Sequence, residues 1–368
     1  MSKPTILFLI DGLQVGGAER SLLLLCQHLR DFRPIVLVIS DSHDLMPDFE
    51  NAGIQVEVFS LTRNYRFRQH AKTIKPLVDS LNPAIIHSSL FHADMILRYL
   101  DTPAIKVTGL VSAMYSDGRL NPLPWQTRQK VRLLKQWDCW TSSKIDLFIS
   151  NSNTIRNHYV SDLGNKPEKV KVIYRGRRIQ TSNSDIQRKE NQFLFIGRLI
   201  PSKGLETAIK AFKKISRKKP HLIFKIAGEG PQREGLLRLI QKLDLEEKVI
   251  LLGQVNDVDS HLADSSFFIF PTHYEGLPGS LIEAMLAKIP IICSDIPENK
   301  ECVDESMCLF HRVGDSEDLA IQMERALTLT DWEERTQRAY AHAAEHFDIE
   351  NIARQYEEVY QKLLSEDL

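Results

Sequence analysis

Cysteine is scarce in these 368 residues. Only Cys26, Cys139, Cys293, Cys302 and Cys308 occur, an odd number without the paired spacing of a zinc site or a disulfide framework. They read as reduced core or surface thiols of a cytoplasmic protein. Long apolar runs are missing too, and no stretch reaches the length a bilayer demands. Thr5–Ile10 is apolar but short, and Asp11 ends it, so it reads as a first strand and not as a signal peptide. Net charge is nearly absent, −1 at neutral pH. With no recognisable nucleic-acid module, that balance argues against a nucleic-acid partner.

What is present suits two ordinary cores. The chain is 43% hydrophobic and 26% charged, enough apolar material for two domains of common size. Its first half alternates short β-rich runs with helical patterns. Strands are expected at Thr5–Ile10, Ile35–Ser40, Val56–Phe59, Ala84–His87, Ile105–Gly109, Leu147–Ser150 and Val170–Tyr174, with a helix over Ala18–Leu29 among those between. Such alternation predicts a parallel sheet covered on both faces. The polar stretch 179–190 is the best linker candidate, and a second alternating domain follows it.

The most informative segment is Glu275-Gly-Leu-Pro-Gly-Ser-Leu-Ile-Glu283. It follows the strand-like run Phe267–Phe270 and leads into a helical pattern at Ile282–Leu286. The pattern predicts a strand, a glycine-rich turn with free amides, and a helix N-terminus able to hold an anion. Carboxylates beside a phosphate would repel it, so Glu275 and Glu283 suit hydroxyl groups instead. Phosphates and hydroxyls together describe a nucleotide sugar. Upstream, Phe193–Ile196 runs into Gly197-Arg198-Leu199-Ile200-Pro201-Ser202-Lys203-Gly204, then an amphipathic helix from Leu205. Arg198 and Lys203 flank that turn as two cations for a diphosphate. A third strand-to-helix turn is Gly228-Glu-Gly-Pro231.

These three features, with Gly16-Gly17-Ala18-Glu19-Arg20 near the start as a fourth, resemble the retaining group 1 glycosyltransferases of family 4 over nearly the whole chain. The resemblance implies an α/β fold of GT-B type: two Rossmann-like, doubly wound domains facing an interdomain cleft. Residues 1–178 would form the acceptor-side domain, 179–190 the linker and 191–346 the nucleotide-sugar domain. Residues 347–368 would be a helix crossing back to the first domain. The enzyme would move a hexose or N-acetylhexosamine from a nucleotide diphosphate sugar, with UDP the expected carrier, to a saccharide or lipid-linked acceptor in polysaccharide or envelope glycan synthesis.

Residue by residue, the resemblance makes Arg198 and Lys203 stabilise the departing diphosphate and puts Glu275 near the donor sugar. Glu283 would take the ribose hydroxyls. Gly16, Gly17 and Gly197 would allow close backbone approach, and Gly276, Leu277, Pro278, Gly279 and Ser280 would offer amides to sugar or phosphate. His92, at the end of a predicted strand with His87, and His273, just before Glu275, are candidates for acceptor or donor contacts. No metal or other cofactor is expected, because Arg198 and Lys203 supply the positive charge. Asp257-Val-Asp259 fits a metal-binding D-x-D pattern, but helix capping by Asp257 explains it better.

The chain departs from the family pattern at three places. Val107-Thr108-Gly109-Leu110 carries no histidine, Tyr174-Arg175-Gly176-Arg177-Arg178 carries extra arginines, and Lys288 stands where glycine is common. Other classes keep the same pocket: a sugar-nucleotide epimerase of GT-B-like fold, a non-catalytic nucleotide-sugar-binding protein, and a pyridoxal phosphate-dependent phosphorylase, for which the chain is short. Charge is uneven. Residues 1–178 hold 24 Lys and Arg against 16 Asp and Glu, which suggests an anionic surface facing the first domain. Arg63, Arg66, Arg68 and Lys72 gather around Tyr65 and Phe67. Arg128, Lys130, Arg132 and Lys135 lie on a predicted helix with Trp125, Trp137 and Trp140. Peripheral contact with an anionic membrane competes here with an ordinary solvated helix whose tryptophans enter the core.

Overall fold

The computed structural model describes residues 3–120, 123–179 and 191–366; all of the expected linker but Ile179 lies outside them. The chain divides into one compact unit of residues 1–178 with 347–368, and a second of residues 179–346.

The first unit begins β1 (Thr5–Ile10), α1 (Gly17–His28), β2 (Arg33–Val38), α2 (Met46–Asn51), β3 (Gln55–Val58), α3 (Phe67–Leu81), β4 (Ile85–Ser89) and α4 (Phe91–Leu97). It continues β5 (Ile105–Leu110), α5 (Asp117–Leu120), α6 (Trp125–Thr141), β6 (Leu147–Ser150), α7 (Asn153–Leu163) and β7 (Val170–Val172). Its seven strands are parallel in the order β3-β2-β1-β4-β5-β6-β7. The order reverses between β1 and β4, and ligands of open α/β sheets bind beyond the carboxyl ends of strands at such a reversal. The strands are apolar on both faces, as a sheet with two helical covers requires. Leu7, Leu9, Ile35 and Ile86 face α3, α4 and α6; Ile6, Phe8, Val36 and Ile85 face α1.

The second unit runs β8 (Gln192–Ile196), α8 (Leu205–Lys218), β9 (Ile223–Ala227), α9 (Arg233–Lys242), β10 (Val249–Gly253), α10 (Val258–Asp264) and β11 (Phe267–Phe270). Then follow α11 (Gly279–Leu286), β12 (Ile291–Ser294), α12 (Pro297–Lys300), β13 (Leu309–His311), α13 (Ser316–Ala326) and α14 (Trp332–His346). Its parallel sheet has the order β10-β9-β8-β11-β12-β13 and reverses between β8 and β11. Phenylalanines fill its middle, with Phe193 and Phe267 stacked at 5.1 Å and Phe212 against Phe224 at 5.7 Å.

The last helix, α15 (Ile349–Glu366), belongs to the first unit and packs on α1. It buries Ile352, Ala353, Val359 and Tyr360 beneath the sheet. Glu357 accepts from the amides of Arg30 (2.5 Å) and Asp31 (2.7 Å) just beyond the end of α1. The returning chain is fixed by a parallel bridge between Arg177 and Asp348: Arg177 N donates to Phe347 O, and Ile349 N to Arg177 O. The Arg177 side chain is buried and donates to Ser21 Oγ at 3.1 Å. One of the extra arginines is therefore a fastener of this junction.

Lys288 also gains a reason. It follows α11 with φ +51°, the left-handed conformation that glycine adopts most readily after a helix. The lysine keeps that conformation, and its Nζ sits 4.4 Å from the centroid of the Tyr340 ring. Asp257 caps α10 by accepting from Ser260 N at 2.9 Å. On α6 the reading of core tryptophans fails for two of the three. Trp137 packs into the core, whereas Trp125 and Trp140 are 66% and 70% exposed. No helix among the described residues is long and apolar enough to cross a membrane.

Candidate active site

In the second unit the turn after β8 and the turn after β11 meet at the strand-order reversal. The first ends in a short 3-10 turn, Pro201–Lys203, and then Gly204. The second carries Pro271 to Glu275 and leads into α11. They are stitched by His273 N donating to Ser202 O at 2.7 Å and Thr272 Oγ1 to the same carbonyl at 3.0 Å. Gly204 has φ +64°, and a Cβ there would stand 2.0 Å from Pro271 O. Only glycine combines that backbone with so close an approach.

Within this junction Lys203 Nζ donates to Glu275 Oε1. Thr272 Oγ1 lies 2.8 Å from the same carboxylate oxygen. Thr272 is held in turn, its carbonyl accepting from Ser294 Oγ at 2.5 Å, and Asn299 Nδ2 donates to Ser294 O at 2.9 Å. Lys203 also lies 5.3 Å from the centroid of the Phe270 ring. Both charged side chains are mostly covered, 14% and 13% exposed, so their attraction is less screened than at an open surface. Arg198 is different: exposed, and without an ion pair among the described residues. One cation is engaged and one is open.

Gly197 donates its amide to Ala227 O at 3.0 Å. A Cβ at Gly228, whose φ is +136°, would strike Gly197 O at 1.9 Å. The turns after β8 and β9 are thus packed backbone to backbone. Beyond β11, Leu277 and Pro278 are buried, while Gly276, Gly279 and Ser280 are half-buried. Helix α11 starts at Gly279, earlier than the pattern from Ile282 indicated. Its first amides have no partner within the helix. Glu283 is its fifth residue, half-buried. His273 is exposed beside Glu275. The second unit therefore brings Lys203 and Glu275 into contact and seats Gly197, Gly204 and Gly228 in one packed junction.

The first unit has its own cluster at the β1–β4 reversal. Asp11, directly after β1, accepts from Ala93 N at 2.8 Å; His92 Nδ1 lies 3.5 Å from Asp11 Oδ2, and Arg63 lies 3.6 Å from it. Tyr65 stacks by His92 with centroids 6.4 Å apart. His87, on β4, points elsewhere: it is buried and hydrogen-bonded to Tyr360 Oη at 2.6 Å. Burial pulls its imidazole down to about 3. It is a structural histidine. Burial also pushes the neighbouring Asp94 carboxyl well above the usual carboxylate range, against the pull of Ser88 and Arg98. Gly16 and Gly17 begin α1. A Cβ at Gly16 would stand 2.3 Å from Glu19 Oε2, and one at Gly17 3.1 Å from Arg175 Nη1.

Sequence reasoning missed Thr272, Asp11 and Arg175. Asp11 is the first residue after β1 and Thr272 the second after β11, both at a strand-order reversal, which is the one signal that could have found them. Arg175 was visible only as a departure from the family pattern.

Two family models match in tandem: Glycosyltransferase Family 4 over residues 15–180 and Glycosyl transferases group 1 over residues 177–345. The capsular polysaccharide biosynthesis glycosyltransferase CapH of Staphylococcus aureus is 28% identical over 304 residues, 80% of this chain and 82% of that protein. The N-acetylgalactosamine-N,N'-diacetylbacillosaminyl-diphospho-undecaprenol 4-alpha-N-acetylgalactosaminyltransferase of Campylobacter jejuni is 33% identical over 156 residues, 41% of this chain and 42% of that one. Among solved structures, Alr3699/HepE of Anabaena with UDP and glucose superimposes with a TM-score of 0.83 at 23% identity, over 97% of this chain and 99% of that one. That likeness shows the fold, GT-B with two Rossmann-like domains. The chain belongs to the group 1 glycosyltransferases of family 4.

Proposed function

We propose that this glycosyltransferase retains the configuration of its donor, moving a hexose or N-acetylhexosamine from a UDP-sugar to a saccharide or lipid-linked acceptor in polysaccharide or envelope glycan synthesis. The observation that carries the reading is the Lys203–Glu275 pair at the β8–β11 reversal. It sets a cation suited to a diphosphate against a carboxylate suited to sugar hydroxyls. The relatives favour the same chemistry. One is named for capsular polysaccharide and the other for transfer to a diphospho-undecaprenol-linked sugar, while the Anabaena structure holds UDP and glucose.

In this mechanism the acceptor oxygen bonds to the anomeric carbon on the face from which the diphosphate departs. The bond from that carbon to the β-phosphate oxygen breaks, and the acceptor proton passes to a phosphate oxygen. UDP leaves. Lys203 and Arg198 neutralise the charge that grows on the diphosphate, so the step requires no metal. Glu283 takes ribose hydroxyls and Glu275 sugar hydroxyls, with amides of residues 276–280 around them. His92 and His273 contact acceptor or donor hydroxyls. The enzyme works in the cytoplasm, at the inner face of a membrane where a lipid-linked acceptor is presented.

The test is a thermal-shift panel of UDP, GDP, ADP and CDP with their sugars, followed by the anomeric configuration of the product. A ligand of the folded state raises the melting temperature. A shift with UDP compounds, lost in Glu283→Ala, and a product of retained configuration are expected. A shift confined to another base would overturn the donor assignment, and an inverted product would overturn the mechanism.

A further inference from the structure

We propose that the first unit carries a docking site for anionic phospholipid headgroups, made by a cationic cavity beside α3 together with the exposed indole face of α6. The inference rests on the membrane part of the reading above and gives it a place.

The cavity, of about 860 Å³, is lined by Arg68, Lys72, Lys75, Lys106 and Lys144, with Tyr99 among them. The Arg68 guanidinium and the Lys144 ammonium lie 5.3 and 4.4 Å from the Tyr99 ring centroid. Lys75 donates to Asp101 O at 2.7 Å and Lys106 to Leu100 O at 2.7 Å, which holds both ammonium groups at the wall. Arg98, also at the wall, is already neutralised by Asp138 at 2.6 Å. Asp101 supplies the one carboxylate of the lining. Lys75 is paired with Asp79 at 3.1 Å, which leaves Arg68, Lys72, Lys106 and Lys144 to repel each other around the hollow, and burial already lowers the Lys106 pKa. An anion in the hollow would relieve both costs.

The neighbouring helix says what kind of anion. Eight large apolar side chains are exposed among the described residues, and three of them, Trp125, Leu133 and Trp140, lie on α6. At 100° per residue they fall within about 80° of arc, and the exposed Lys130 and Arg132 belong to the same helix. Trp137, one turn before Trp140, donates Nε1 to Tyr99 Oη at 2.6 Å, which ties this helix to the cavity wall. A smaller hollow of about 320 Å³ between Tyr65, Phe67, Tyr99 and Trp137 extends from it. Indoles settle at the headgroup level of bilayers, and a soluble phosphate has no use for them. The cavity floor lies at the amino edge of the sheet, since Lys106 is the second residue of β5 and Lys144 precedes β6. Gly17, Asp11 and His92 follow the carboxyl ends of strands at the other edge.

The experiment is flotation of the full chain with vesicles of phosphatidylcholine alone, or with a third of phosphatidylglycerol. Binding is expected only to the anionic vesicles, and weaker in high salt. Lys72→Ala with Lys144→Ala should lower the partition about 25-fold, roughly fivefold per cation. Trp125→Ala with Trp140→Ala should lower it comparably, whereas Arg238→Ala with Lys242→Ala, on α9, should leave it unchanged. Melting curves and the UDP shift on the same preparations separate loss of docking from loss of fold or of donor binding. Flotation indifferent to both the Lys72/Lys144 and the Trp125/Trp140 substitutions would sink this site and leave membrane contact standing elsewhere. Absence of flotation would sink both. Saturable binding of inorganic pyrophosphate, lost with Lys72 and Lys144 and without flotation, would make the ligand a soluble phosphate and overturn the lipid assignment.

Discussion

Lys203 and Glu275 stand 72 residues apart in the chain and share a hydrogen bond, with Thr272 Oγ1 2.8 Å from the same carboxylate oxygen. If the proposed donor site is right, a diphosphate arriving at Lys203 must compete with that carboxylate, and a sugar hydroxyl arriving at Glu275 must compete with the ammonium. Donor binding as proposed would exchange one internal pair for two external ones.

This exchange separates two variants. Lys203→Ala should lower kcat by about 10²–10³-fold, the cost of removing one charge aimed at a leaving group, and should weaken UDP. Glu275→Gln should lower transfer as well, but UDP itself should bind more tightly, because the ammonium is released. Titration calorimetry with UDP reads the sign. Weaker UDP binding in Glu275→Gln would show that the carboxylate positions Lys203 and does not compete for it.

Gly204 and Gly314 offer a matched pair. Both have left-handed backbones, at +64° and +75°, but a Cβ meets Pro271 O at 2.0 Å in the first and nothing within 4 Å in the second. Gly314→Ala should cost only backbone strain, about 1 kcal/mol. Gly204→Ala should cost clearly more and should also impair transfer, since Pro271 leads into Thr272. Thermal melts of the two variants check this, and equal shifts would refute the close-approach argument.

His87 should make the first unit acid-sensitive. Its pKa in the fold is about 3, below the ordinary 6.5, so the unfolded chain takes up a proton that the folded chain refuses. Its contribution is whole above pH 6.5 and declines as pH falls towards 3. By pH 5 the loss is about 2 kcal/mol. Urea midpoints of wild type and His87→Gln should therefore converge by about that amount between pH 7 and pH 5. Parallel curves would mean that His87 is protonated in the fold.

Chelation supplies the fourth prediction. Among the described residues no three His, Cys, Asp or Glu side chains gather as a metal site, and Arg198 is exposed without an ion pair. EDTA should leave transfer largely intact. Complete loss restored by magnesium or manganese would reopen the role of Asp257 and Asp259, although Asp257 is occupied as a cap.

Where a run was apolar throughout and sharply ended, its sequence fixed the element's limits. Thr5–Ile10 before Asp11 and Phe267–Phe270 before Pro271 are strands over those very residues. Limits slipped where a residue tolerates two roles. Pro34 sits inside β2 as its second residue, near the strand start where a missing donor is tolerated, so the expected strand began too late. Gly279 and Ser280 looked like turn and proved to be the first turn of α11, where no intrahelical donor is needed. The glycine turns and both ends of the Lys203–Glu275 pair could be picked out locally, but their contact could not. It depends on β8 lying beside β11, with β9 and β10 on the far side. The pairing of His87 with Tyr360 was hidden for the same reason, being 273 residues long.

The bridge between Arg177 and Asp348 joins the two separate segments of a first unit that is discontinuous in the chain. During vectorial synthesis its seven strands are made early, yet the surface covered by Ile352, Val359 and Tyr360 stays bare until α15 is translated. The second unit, continuous in sequence, has all its residues before then. The first unit is thus begun before the second and completed after it, and a ribosome stalled after His346 would hold it with an apolar face open to chaperones.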